Sequence, residues 1–187
     1  NNMRERDSQK RKFDISYQEF LAERPVWANI EKDDLYSVVG NIIATKWFKE
    51  NSFKQPNVTA VVDNINKTCY QGKVDKLHVL RILAWHSIPD HCAFHSREFC
   101  KLFLYLIYWF DTVANFKVLR RKLARHRVRY RTRHIQSPKH PMPQEAVEKL
   151  NEHRKDKGMK LIRIKKERKQ LPEVKNALSL IRKLLPD

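Results

Sequence analysis

Glycine is scarce: three residues in 187. So few leave little room for tight β-hairpins, whose central residues need positive φ. Neither GxGxxG nor GxxxxGK[ST] occurs, which removes the common nucleotide-binding signatures. Cysteine is also scarce and odd in number, at Cys69, Cys92 and Cys100, and no secretory signal is expected. A disulfide framework is therefore not expected, and a reducing compartment is. The apolar run Leu102–Phe110 is nine residues long, bounded by Lys101 and Asp111. A membrane span needs about 20. No pair of carboxylates has a spacing suited to acid–base work. Asp33 and Asp34 are neighbours, which do not face each other on a helix, and they suit a helix's first turn. No enzymatic activity and no cofactor are expected.

Apolar material is plentiful. Four Trp, nine Phe and six Tyr lie mostly before residue 117, enough for a real core. The segment Phe99–Phe116, FCKLFLYLIYWFDTVANF, shows no two-residue alternation. Read as a helix it is apolar on every side, which marks the centre of a core. The expected fold is mainly α: an irregular helical bundle around a central apolar helix (about 97–116), with a basic extended or helical C-terminal arm.

Four regions are expected: a mobile tail (1–12), a helical body (13–116), a basic arm (117–169) and an amphipathic helix (170–187). Ser16-Tyr-Gln-Glu19 fits a capping box for a short first helix, ended at Arg24 because Pro25 disfavours helix in the residue before it. From Asp33 or Asp34, Leu35, Val38, Val39, Ile42, Ile43 and Trp47 share a helical face. Val58, Val61, Val62 and Ile65 do likewise, with Gly72 as a left-handed stop. Val74, Leu77, Leu80, Leu83 and Ala84 follow, ended near Pro89, and Ser96 suits the N-cap of the central helix. SPKHPMP (137–143) reads as a linker, Gln144–Lys157 as a polar helix stopped by Gly158, and Met159–Lys165 as a strand. Val174–Leu184 reads as a helix with an apolar stripe for a protein partner.

The clearest signal is charge. Residues 1–116 carry 16 basic and 14 acidic residues, whereas 117–169 carry 20 and 5. Thus +15 of the net +18 lies in the arm. From Lys117 to Lys139 there are ten Lys or Arg and no Asp or Glu. Such asymmetry points to a polyanion. Arginine donates bidentate hydrogen bonds to phosphate, so the expected nucleic-acid-binding residues are Arg120, Arg121, Lys122, Arg125, Arg127, Arg129, Tyr130, Arg131, Arg133, Lys139, Arg163, Lys165, Lys166 and Arg168. His126, Tyr130 and His134 are interleaved as candidate base-stacking rings. Arg125, Arg127, Arg129, Arg131 and Arg133 alternate. On a helix they would spread around the cylinder, and in extended chain they share one face about 6.6 Å apart. Helix to about His126 and extended chain beyond is expected.

Three other constellations compete. His86, His91, Cys92, His95 and Cys100 fall within 15 residues, a zinc-like density of ligands but without a CxxC pair. The same residues could instead supply a Cys–His nucleophile pair, though no third orienting group is identifiable from the sequence. Helices around Val58–Tyr70 and Val74–Ser87, joined at Gln71-Gly72-Lys73, suggest a helix-turn-helix. The expectation is a non-enzymatic, RNA-binding rather than DNA-binding structural subunit of a nucleoprotein assembly. The alternatives are a scaffold or regulatory protein binding an acidic protein, or a helical DNA-binding transcription or replication factor. Its expected place is inside the cell, nuclear, nucleolar or mitochondrial, with no membrane span.

Overall fold

In the first helix Phe13, Tyr17 and Phe20 recur at steps of four and three, with Arg24 just past its end in the same phase, a stripe that must be covered on one side. The computed structural model describes residues 2–135 continuously, with side chains from residue 7, and residues 148, 151, 152, 155, 156, 158 and 160 singly. Helix α1 spans Asn2–Glu23. It begins far upstream of the expected capping box, and the expected tail is helical. The stretch before Phe13 holds no Gly or Pro, so nothing interrupts propagation. Ser16 is buried in mid-helix, where its hydroxyl donates to the Lys12 carbonyl at 2.7 Å instead of capping.

Next come β1 (Asn29–Glu31), a 3-10 turn (Lys32–Asp34), α2 (Leu35–Ala44) and α3 (Lys46–Asn51). The expected single helix through Trp47 is two, because Thr45 is extended and caps α3: its hydroxyl oxygen accepts from Phe48 N–H at 3.2 Å. Helix α4 (Val58–Thr68), β2 (Lys73–Asp75) and α5 (Lys76–His86) follow. Strands β1 and β2 pair antiparallel, Ile30 opposite Val74. The expected helix-turn-helix is thereby corrected, since α4 and α5 are separated by a paired strand. Gly72 is not a left-handed stop either. Positive φ falls on Arg127 and Gly158, and α4 ends earlier, at extended Cys69. Asp75, whose carboxylate caps Leu77 N–H, also receives a bidentate pair from the buried Arg24 guanidinium at 2.7 and 2.8 Å.

Helix α6 (Arg97–Phe110) is the centre of the core, as expected. Ser96 caps it, and every residue from Phe99 to Ile107 is buried. It stops at Asp111 rather than running to Phe116. Asp111 is held by Lys76 at 3.5 Å and by the Asn115 amide at 2.7 Å, while Thr112 caps α7 (Val113–Arg125) through Asn115 N–H. Two strong capping residues in sequence outweigh the apolar continuity. Helix α1 lies against both, with Phe13 edge-on to Phe99 (5.7 Å) and Tyr17 tilted over Phe103 (6.1 Å). Each such buried ring contributes about 1.5–3 kcal/mol. The fold is thus mainly α, with seven α-helices and one two-stranded ribbon among the described residues. None of the described helices is long and apolar enough to cross a membrane.

Ser137–Leu171 separates as a second unit. Within it residues 148, 151, 152, 155 and 156 are helical, and Gly158 takes φ 66 with its N–H on the Lys155 carbonyl. That matches a helix stopped at Gly158. The linker 137–143 and the helix at 174–184 lie outside the described residues, as does the expected strand at 159–165 except for Lys160, which is exposed and not in a strand.

Candidate nucleic-acid interface

The arm starts as helix and then changes character at one residue. Helix α7 closes in a Schellman motif: Val128 N–H donates to the Leu123 carbonyl (2.9 Å) and Arg127 N–H to the Ala124 carbonyl (3.1 Å). The residue in the left-handed position, where glycine is usual, is Arg127, at φ 56. Beyond it residues 128–132 are irregular, residues 133–135 form a bend, and the segment returns along the body. Val128 and Ile135 are buried, Tyr130 and Thr132 half-buried, and Arg127, Arg129, Arg131 and Arg133 exposed. The arginines therefore share one outward edge, as their alternation requires.

Several bonds hold this strap down. The Gln9 side-chain amide clasps the Arg129 peptide, donating to its carbonyl at 2.8 Å and accepting its N–H at 3.3 Å. Lys101 Nζ donates to the Thr132 carbonyl at 3.3 Å. His134 stacks on Phe53 at 4.4 Å, and its Nε2 lies 3.0 Å from the Ser52 carbonyl, which calls for the Nε2–H tautomer. His126 Nε2 lies 2.9 Å from a Glu19 carboxylate oxygen. The interleaved rings thus face the body. His126 and His134 have protein partners, and Tyr130 packs against the core while also lining a cleft.

The basic residues of α7 divide. Lys122 is buried, 2.8 Å from Glu23 and 4.0 Å from Glu19, and serves the α1–α7 contact. Arg121 and Arg125 lie 3.8 and 4.0 Å from Glu23 and Glu19. Arg120 is exposed, its guanidinium 5.4 Å from the Phe116 ring centre. Both α1 carboxyls are held below the usual carboxylate range, Glu19 chiefly by His126 and Glu23 chiefly by Lys122. Lys139, Arg163, Lys165, Lys166 and Arg168 lie outside the described residues.

Beyond α7 the balance reverses. Arg127, Arg129 and Arg131 meet Arg97, the first residue of α6, around a cleft of about 450 Å³. Its remaining lining is Ala124, Val128 and Tyr130, with no carboxylate among them. Arg97 lies in the near-neutral part of the sequence, 30 positions before Arg127, and nothing in the sequence sets it apart. Lys101, one turn further along α6, is buried, and its ammonium is held below the ordinary lysine range by burial first and Arg131 second.

Of the histidine–cysteine cluster, His91, Cys92 and His95 line one cleft of about 630 Å³ beside α1, while His86 and Cys100 lie apart from it. His86 Nε2 pairs with the Asn64 amide at 2.9 Å. His95 sits among Phe13, Phe94 and Phe99, 3.6 Å from Asp14. Cys100 is buried with its thiol on the His95 carbonyl, and burial pushes its pKa up, opposite to what a nucleophile needs. Among the described residues no three His, Cys, Asp or Glu side chains come together as a metal site. Comparison with protein-family models, curated proteins and solved structures gave no match.

Proposed function

We propose that this chain is a non-enzymatic, nucleic-acid-binding structural subunit of a nucleoprotein assembly, gripping backbone phosphates with its basic strap. The observation that carries this reading is the outward row Arg127, Arg129, Arg131 and Arg133, fixed to the body by its inward neighbours. Charges held in a row at a two-residue pitch are preorganised for a linear polyanion, so little ordering entropy is lost on binding. RNA is favoured over DNA because the row lies on non-helical chain, not on a helix shaped to lie in a major groove. Such a subunit would work inside the cell, in the nucleus, nucleolus or mitochondrion, and would meet neighbouring proteins through its body and Val174–Leu184.

The test is RNA binding by the full chain as a function of salt. Replacing Arg127, Arg129, Arg131 and Arg133 together by Gln is expected to weaken binding and to flatten the slope of log K against log salt, by about 0.7 for each single-strand phosphate no longer neutralised. An unchanged slope refutes the assignment of the strap. Tight binding to an acidic protein with none to RNA replaces it with the scaffold reading.

A further inference from the structure

We propose that the cleft between the start of α6 and the strap is a seat for one nucleotide of a single strand, its phosphate held by Arg97, Arg127 and Arg131. This rests on the nucleic-acid reading above and narrows it to unpaired nucleic acid at one defined place.

Three observations converge on the cleft. First, arginines line it from two segments far apart in sequence: Arg97 from α6, and Arg127, Arg129 and Arg131 from the strap. Among the described residues, none of the salt bridges formed involves Arg97, Arg127 or Arg131. Carboxylates lie on the far side, where Arg97 and Arg129 border a neighbouring cleft with Asp7 and Glu98, but within this cleft the cations face one another, and an anion relieves their repulsion. The buried ammonium of Lys101 behind the strap adds to the same positive field. Second, the backbone is strained at the cleft's edge. A side chain at φ 56 is disfavoured, and a glycine would complete the same Schellman closure without it. Strain kept at a position where a cheaper residue fits is the mark of a side chain needed there. Third, the size and lining suit a nucleotide. About 450 Å³ falls within the range of small-ligand sites, and the apolar lining of Val128 and the Tyr130 ring offers a surface for a sugar or base beside the cations. A duplex presents a convex rail of phosphates with its bases stacked inside, so it can touch the arginine row but cannot place a nucleotide in a concavity.

The experiment measures affinity of the full chain for a short oligouridylate and for the matching oligoadenylate–oligouridylate duplex, with Arg97→Gln, Arg97→Lys, Arg131→Gln and Arg133→Gln. Arg97→Gln is expected to weaken oligouridylate binding about tenfold, as removing one charge-assisted hydrogen bond does. Duplex binding should change less than about twofold, since a duplex is held by the row alone. Arg97→Lys should recover only part, because a point charge replaces a fork. Arg131→Gln, which belongs to both the cleft and the row, should weaken both probes but oligouridylate the more, and Arg133→Gln, outside the cleft, should weaken both probes alike. The cleft assignment is overturned if Arg97→Gln leaves oligouridylate binding intact while the row variants weaken it, or if it weakens both probes equally. It falls together with the nucleic-acid reading if the parent chain binds neither probe at moderate salt, or binds phosphatidylserine vesicles in preference to both.

Discussion

Replacing Arg127 by glycine removes a Cβ from a residue at φ 56. The left-handed conformation costs a residue with a side chain about 1–2 kcal/mol. Glycine's greater freedom in the unfolded chain returns about 0.5–1 kcal/mol of that. The two closing bonds, from Arg127 and Val128 N–H, are backbone bonds and survive the change. The Arg127 side chain is exposed, so the change removes little buried surface. The net expectation is a gain of about 0.5–1 kcal/mol, which raises Tm by roughly 1–4 °C in a chain of this size. Arg127→Gln is the paired control, because it removes the charge and keeps the strained Cβ. Thermal and urea unfolding of the parent and both variants read the stability. Titration with a labelled oligouridylate reads the binding, which both variants should weaken by about tenfold. The expected pattern is one stabilised variant and two weakened binders. If Arg127→Gly is less stable than the parent, or if Arg127→Gln is stabilised as much, the strain argument is wrong.

The pH profile should carry the signature of His95, whose pKa is pushed down to about 4, chiefly by burial among the rings of Phe13, Phe94 and Phe99. The unfolded ring protonates near pH 6.5 and the folded one does not, so stability is full above about 6.5 and falls as pH drops towards 4, by about 1–2 kcal/mol after solvent screening. His95→Leu should flatten that part of the profile in urea denaturation, and a parent profile already flat there would contradict the burial argument. Arg24→Met should cost about 3 kcal/mol by leaving the Asp75 carboxylate without its bidentate partner. A urea midpoint within about 0.5 kcal/mol of the parent would show that Asp75 is adequately solvated alone, for which its partial exposure is the reason.

The strap shows what a sequence carries by itself. Alternation of arginines with Val128, Tyr130 and Thr132 has a period of two, and a period of two means the same thing wherever the segment lies. The central helix was legible for a similar reason: the run from Leu102 to Phe110 is apolar whatever surrounds it. Its end was harder to see, because Asp111 and Thr112 are ordinary residues until Lys76 and Asn115 reach them. Ser16 misled in the opposite direction. A capping box also occurs inside a longer helix, where the hydroxyl simply turns back to Lys12. Lys122 counted as one more basic residue of the arm, and only the docking of α1 turns it inward onto Glu19 and Glu23. Arg97 was out of reach, since its role depends on a meeting between segments 30 positions apart.

The packing of α1 against α7 has a consequence for how the chain is made. The clasp between Gln9 and Arg129 joins positions 120 apart, and the apolar stripe of α1 is covered only once α6 and α7 have been translated. Ribosomes add about 5–20 residues per second, so Phe13, Tyr17 and Phe20 wait roughly 5–20 s for their partners, long compared with the sub-millisecond collapse of a small chain. During that interval α1 is an amphipathic helix with an open face and a natural substrate for chaperones. Nascent chains cut short before Val113 should be captured or degraded, and the body should appear only when translation has passed the strap.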